Sequence, residues 1–366
     1  MKICFIADPN HPNTLNWAKY FACELGHQIY ILCLNAPRKP IEPIKFLRVS
    51  VLVNHKARYL FVHNAVRHHL ADIKPDVLIG YRLTSYAYIA AKSRFHPFVA
   101  AAQSQKAAGE RRVIRKPLQW LAARYAVRNA DLALAWAPHM KNDIISLGGS
   151  DKKTIVVPRG VDLRLFNYGP GKNGSGKVNI ITTRGLNPKY NLGVILRAIG
   201  KLKGMKEISY TVIGDGSERE SLMRLASDLR IENRVKFVGR VPYGEISDYL
   251  AEADIYVSPV PEDGVSSSLL EAMAVGVFPI VTDIEANRYW ADKGCKMMFF
   301  NPFNQDELAE KIMNFSGKKE KHRNFLKSNR MIVEVKADWQ KNMEIIEKKL
   351  FQLVENYRSH EKRNRL

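Results

Sequence analysis

Asp263 and Glu271 stand eight positions apart in PEDGVSSSLLEAMAVGVFPIVTD, with a glycine and three serines between them. The apolar run that contains Glu271, SLLEAMAVG, has the composition of a helix, and the residues before it read as the loop that leads into it. A helix N-terminus offers unsatisfied N–H groups and a partial positive charge, which suits a phosphate. A carboxylate one turn inside such a helix can accept both hydroxyls of a ribose. Asp263, in the preceding loop, can reach another part of the same ligand, and the small residues between the acids allow close backbone approach. The spacing therefore predicts a nucleotide-sugar site with one acid at each end of the ligand.

Such a helix must be held by a sheet. KICFIA, the loop DPNHPNT, the helical stretch LNWAKYFACELG and QIYILCLN read as strand, loop, helix, strand. PDVLIGY, FHPFVAAAQ, ADLALAWA and KTIVVPRG continue a parallel α/β series whose short apolar strands are buried on both faces. NYGPGKNGSGK is rich in glycine and reads as a linker. Within it, GKNGSGKV imitates a phosphate-binding loop, but Val178 stands where Ser or Thr should bind magnesium, and a strand follows where a helix should. A second series runs from VNIITTR through SYTVIGDG, VKFVGRV and DIYVSP to FPIVTD. The expected organisation is a first Rossmann-like domain over 1–166, a linker over 167–177, a second such domain over 178–335 and an amphipathic C-terminal helix over 336–366 that returns to the first domain. Ligands of open α/β sheets sit at the carboxyl ends of the strands, so two such domains are expected to face a central cleft.

The chain resembles the nucleotide-sugar glycosyltransferases of family 4, which have the GT-B fold and usually retain anomeric configuration. The signature of that family is two acids separated by seven residues and followed by EAMAxGxPV. Here the first acid is Asp263, and the resemblance runs through DG…SLLEAMA.G.FPIV.DI..NR.W to Trp290. TTRGLNPKYN is similar to the family's Arg-plus-Lys element, VIGDGSERESL and VKFVGRV to its next two landmarks, and VVPRGVDLRLF to IPNGVDxxxF, with Arg159 in place of Asn. The resemblance implies that Glu271 holds the ribose, that Asp263 contacts the transferred sugar, and that Arg184 and Lys189 meet the donor diphosphate. Ser267, Leu269 and Leu270 belong to the implied donor segment. Gly214 and Asp215, in a tight turn closed by Gly216, are either a plain turn or a base- or phosphate-facing one. The implied donor is a nucleoside diphosphate sugar, UDP-linked, used as co-substrate. No Asp-x-Asp pair occurs in the sequence, so no metal is expected and the cations take its place in stabilising the leaving group. The implied mechanism is retaining. The acceptor hydroxyl attacks on the face the diphosphate leaves, and a phosphate oxygen takes its proton.

The first domain matches loosely. DPNHPNT lacks the family's glycines; Tyr81 and Gln103 take positions where relatives carry His, or His or Trp. Tyr81 and Gln103 are acceptor-side candidates by position. His11 and Asn13, in the first loop, either touch the acceptor or are solvated. The alternative to an enzyme is a non-catalytic GT-B subunit that binds a nucleotide sugar.

The formal net charge of +21 is concentrated early, with 24 Lys+Arg against 10 Asp+Glu in residues 1–163. Such a field favours an anionic membrane surface or an anionic or lipid-linked glycan acceptor. ERRVIRKPLQWLAARYAVRN, residues 110–129, reads either as a basic, aromatic-bearing membrane-surface segment or as a packed helix with a solvated face. No RRM, KH or zinc signature is present, so nucleic acid is not an expected partner. The first residues lack a secretory pattern and no run is long enough to span a bilayer. Cys4, Cys23, Cys33 and Cys295 form no paired motif. The expected location is cytoplasmic, peripheral at the inner face of the membrane.

Overall fold

The computed structural model describes residues 1–50, 58–102, 117–169, 177–202, 204–205 and 207–365. The chain divides into two compact units, Met1–Pro158 with Met343–Leu366, and Arg159–Asn342. The first unit is built on strands β1 (Lys2–Ile6), β2 (Gln28–Cys33), β3 (Lys45–Arg48), β4 (Val77–Tyr81), β5 (Phe98–Ala101), β6 (Leu132–Ala135) and β7 (Thr154–Val156). They form one parallel sheet in the order β3-β2-β1-β4-β5-β6-β7. Every residue of β4, β5 and β6 is buried, as expected of strands covered by helices on both faces.

From Met343 onward, the helix Trp339–Arg365 closes this unit. Met343, Ile346, Leu350 and Val354 recur at helical spacing and are buried. Polar ties accompany this apolar stripe. His27 Nε2 meets Glu347 Oε1 at 2.9 Å, Arg358 pairs with Asp76, and the His96 ring stacks on Tyr357 with centroids 6.4 Å apart.

The second unit is built on β8 (Val178–Thr183), β9 (Ile208–Ile213), β10 (Val235–Gly239), β11 (Ile255–Ser258), β12 (Phe278–Thr282) and β13 (Met298–Phe300). These also pair in parallel, in the order β10-β9-β8-β11-β12-β13. The order reverses between β8 and β11, which pair through Ile180–Ile255 and Ile181–Tyr256.

Two details differ from the reading of the sequence. The boundary falls at Pro158/Arg159, not at 166. Residues 159–169 are stitched to the second unit: Val161 N–H donates to the Ala337 carbonyl at 2.8 Å, Gly169 N–H donates to Val275 at 2.9 Å, and Arg330 donates to the Phe166 carbonyl at 2.6 Å. Of the expected linker, residues 170–176 lie outside the described residues. The edge strands β3 and β13 were not expected either. No helix among the described residues is long and apolar enough to cross a membrane.

Candidate functional site

The crevice beside the carboxyl ends of two strands at an order reversal is the general ligand position of open α/β sheets. In the second unit that position is where β8 and β11 end. Arg184 directly follows β8, and the chain after β11 runs through Asp263 into the helix Ser267–Val275. Arg184 Nη2 donates to Asp263 Oδ2 at 2.7 Å, and both side chains are largely buried. The same nitrogen donates to Ser266 Oγ. Asp263 Oδ1 accepts from the Gly264 N–H at 2.8 Å. Arg184 Nε is buried and has no hydrogen-bond partner among the described residues.

The three serines each have a separate partner. Ser266 takes Arg184, Ser267 Oγ accepts from Arg159 Nη1, and Ser268 Oγ accepts from the buried Tyr256 hydroxyl at 2.7 Å. None of the three is used as an ordinary helix cap. Two of the hydroxyls instead fix guanidinium groups at the start of the helix. Further along, Ser268 to Val275 are all buried, and Gly276 ends the helix at φ +97°, where glycine avoids the Cβ penalty.

Glu271 lies within this buried helix and is only 6% exposed. Its Oε1 accepts from the Tyr243 hydroxyl at 3.1 Å. Burial pushes the Glu271 carboxyl above the usual carboxylate range, against the opposing pull of the Arg159 charge, the Tyr243 hydroxyl and the Arg184 charge. Burial and the Glu271 charge push the Tyr243 phenol well above the ordinary tyrosine range, so it remains a donor. Tyr243 itself is 41% exposed, with its ring edge against Phe166 at 5.3 Å and its hydroxyl turned inward.

Lys189 sits on the short turn Pro188–Tyr190, exposed, with Nζ 4.6 Å from the Tyr190 ring centroid. The Arg184 guanidinium carbon is 5.7 Å from the same centroid, so one aromatic ring serves both cations. Gly214, at φ +138°, packs so closely that a Cβ there would lie 2.1 Å from the Arg184 carbonyl oxygen; one on Gly216 would lie 2.2 Å from that of Leu186. Leu186 N–H donates to the Asp215 carbonyl at 3.1 Å, and Asp215 Oδ1 accepts from the Gly216 N–H. The Gly214–Asp215–Gly216 turn is thus the backbone support of the Arg184 loop.

Other expected residues are placed differently. The side chains of Leu269 and Leu270 are fully buried in the apolar core, and the Leu270 N–H is bonded to the Ser266 carbonyl; neither side chain lines the site. Tyr81 is 1% exposed at the end of β4, stacked on Phe5 at 5.8 Å and edge-on to Trp17 at 5.3 Å. That packing makes it a core residue instead of an acceptor contact. His11 caps the helix Pro12–Lys19, its Nδ1 accepting from the Asn13 N–H at 3.3 Å. Gln103 and residues 110–116 lie outside the described residues. Arg159, Tyr243 and Tyr190 were not singled out as site residues from the sequence. The one signal available was Arg159 standing where the resembled motif has Asn.

The family described as "Glycosyl transferases group 1" matches residues 170–331, and "Glycosyltransferase Family 4" matches residues 14–165. The amylovoran biosynthesis glycosyltransferase AmsK of Erwinia amylovora is 32% identical over 149 residues, which cover 39% of this chain and 36% of that protein. WcaL of Escherichia coli, named for colanic acid biosynthesis, is 27% identical over 197 residues, covering 52% of this chain and 48% of that one. The chain thus spans between about a third and about half of the length of the curated relatives it matches. HepE of Anabaena, whose crystal structure is a complex with UDP, superposes with a TM-score of 0.80 at 16% identity, over 96% of this chain and 100% of that one. That likeness shows the GT-B fold. With glycosyltransferase family models matching residues 14–165 and 170–331, most of the chain between them, the chain belongs to glycosyltransferase family 4.

Proposed function

We propose that this protein is a retaining glycosyltransferase of polysaccharide or glycoconjugate synthesis. It moves a sugar from a UDP-linked donor to a glycan or lipid-linked acceptor without a metal. The observation that carries this reading is the meeting of Arg184, Asp263 and the helix of Glu271 at the strand-order reversal. Glu271 takes the ribose hydroxyls. Arg184, whose buried Nε lacks a partner among the described residues, takes a diphosphate oxygen together with Lys189, and their charge counts most as the leaving group gains negative charge. Asp263 orients the transferred sugar. The acceptor hydroxyl attacks from the face the diphosphate leaves and gives its proton to a phosphate oxygen. Support for uridine is that HepE, which shares the fold, was solved with UDP; support for a polysaccharide product comes from the names of AmsK and WcaL.

We place the protein at the inner face of the membrane through its basic first unit. In the helix Pro117–Arg128, Leu118 is 79% and Leu121 is 53% exposed. These are the kind of apolar residues that enter a lipid interface.

One observation favours the alternative, a nucleotide-sugar-binding subunit without turnover: Tyr81, at the position where the resemblance implies a histidine, is buried in the core. The test is a thermal-shift panel of UDP, GDP and ADP sugars followed by an assay for release of the nucleoside diphosphate. Stabilisation by a UDP sugar, about 2.7 kcal/mol at 100 times its dissociation constant, with release of UDP, is the expected outcome. Stabilisation without release selects the subunit reading, and no stabilisation by any of them removes the donor site.

A further inference from the structure

Glu271 poses a physical problem within the proposed donor site. Its carboxylate is buried, and a buried acid without compensation takes up a proton and can no longer accept two hydroxyls. Its hydrogen-bond partner is the Tyr243 phenol, at 3.1 Å from Oε1. The nearby cation Arg184 is committed to Asp263 by an ion pair. Arg159 has no such ion pair among the described residues: it donates to the neutral Ser267 Oγ, four residues before Glu271 on the same helix.

The geometry points to Arg159 and Tyr243 as positioning residues for Glu271, Tyr243 fixing the carboxylate by its hydroxyl and Arg159 balancing its charge, so that the acid is ready to accept the ribose of a nucleoside diphosphate sugar. This inference rests on the reading of Glu271 as the ribose acceptor. The charges around the carboxylate support it. Arg159, then Arg184, pull against the effect of burial on Glu271, while Tyr243 feels Glu271, Arg159 and Asp162. Asp263 offsets Arg184, which leaves Arg159 as the cation that balances Glu271. The segment carrying Arg159 is itself fixed. Gly160 adopts φ +75°, a Cβ there would meet the Ala337 carbonyl oxygen at 2.8 Å, and Trp339 N–H donates to the Val161 carbonyl at 3.0 Å. Tyr243 is held in turn by the Phe166 ring, which is fully buried. The replacement of Asn by Arg at position 159 thereby acquires a physical role: it brings a positive charge to a helix that carries a buried acid.

The experiment measures donor affinity against pH by calorimetry for wild type, Arg159→Asn, Arg159→Lys, Tyr243→Phe and Glu271→Gln. The probes are UDP-glucose, GDP-mannose and ADP-glucose. They share the ribose diphosphate, and as diesters they carry no group that titrates near neutrality. Wild-type affinity for the best of the three is expected to fall on acidification, as Glu271 takes up its proton. In Arg159→Asn and Tyr243→Phe that fall should begin at a higher pH, with affinity matching wild type at the alkaline end and about tenfold lower where wild type still binds fully, because Glu271 then holds its proton more tightly. Arg159→Lys should restore the wild-type profile, and Glu271→Gln should bind weakly at every pH. A uniform loss at all pH values, or no loss, in Arg159→Asn and Tyr243→Phe overturns the positioning role while leaving Glu271 in the site. Undiminished binding by Glu271→Gln, or no binding of any probe by wild type, overturns the donor reading and the inference with it.

Discussion

Arg184 and Asp263, 79 residues apart in the chain, meet in a 2.7 Å ion pair where the strand order of the second sheet reverses. The pair ties the end of β8 to the loop after β11. It also joins the cation proposed to meet the diphosphate to the acid proposed to orient the sugar.

Arg184→Ala and Lys189→Ala should each lower turnover by more than they lower donor affinity, since the charge they meet grows in the transition state. Losses of about 100-fold or more in kcat are expected for Arg184, given what removal of one oxyanion donor does elsewhere. EDTA should leave the rate unchanged. Steady-state kinetics with a calorimetric Kd reads this, and activity abolished by EDTA and restored by manganese would contradict it. Arg184→Ala also leaves Asp263 without its cation, so Asp263→Asn added to it should recover part of any lost Tm.

Glu271→Gln should raise the Tm of the ligand-free protein while weakening donor binding. The sign follows from linkage. A carboxyl whose folded-state pKa is raised binds its proton more tightly when folded, so ionising it destabilises the fold as pH rises past the ordinary carboxylate range. The stability gain of Glu271→Gln should therefore be seen at neutral pH and shrink toward about pH 4, where the wild-type acid is also protonated. Thermal melts across pH decide it; a gain that grows on acidification would reverse the assignment.

Gly214→Ala should destabilise the second unit and lower donor affinity. The φ of +138° and the approach of a Cβ to within 2.1 Å of the Arg184 carbonyl oxygen leave no unstrained solution. Strain of this kind costs about 1–3 kcal/mol or more, and relief requires moving the loop that carries Arg184. A Tm and an affinity both unchanged from wild type would show that the turn does not support that loop.

The protein should pellet with anionic vesicles at low salt and be released as salt rises, because the attraction is screened over roughly 8–10 Å at physiological ionic strength. Leu118→Ser with Leu121→Ser should reduce the salt-resistant fraction, as each leucine contributes up to about 1.5–3 kcal/mol when fully buried in lipid. Both side chains are exposed, so the fold should tolerate the change. Equal pelleting of variant and wild type would exclude insertion of this helix.

The strands legible in the sequence are the continuous apolar runs, such as VLIGY and FPIVT, whose residues are all buried. The two missed strands, KFLR and MFF, are short, lie at sheet edges and expose at least part of their faces, so no periodicity marks them. In the site, Arg184, Asp263 and Glu271 were legible because they belong to local spacings. Tyr243 and Arg159 were not, because they reach the helix from 28 and 108 positions away respectively. Only the fold brings such residues together. Tyr81 shows the converse: a position where the resemblance implies a histidine is filled by a ring that completes an aromatic core with Phe5 and Trp17.

The grouping of Met343–Leu366 with the first unit has a practical consequence for dissecting the molecule. The second unit is one uninterrupted stretch, 159–342, carrying Arg159, Arg184, Tyr243, Asp263 and Glu271, and can be excised as a single gene fragment. The first cannot. A clone ending at 158 would leave His27 without Glu347, Asp76 without Arg358, and a bare apolar strip where Leu350 and Val354 dock. Reconstituting it requires either supplying the last helix as a separate peptide or splicing it on through a new connection.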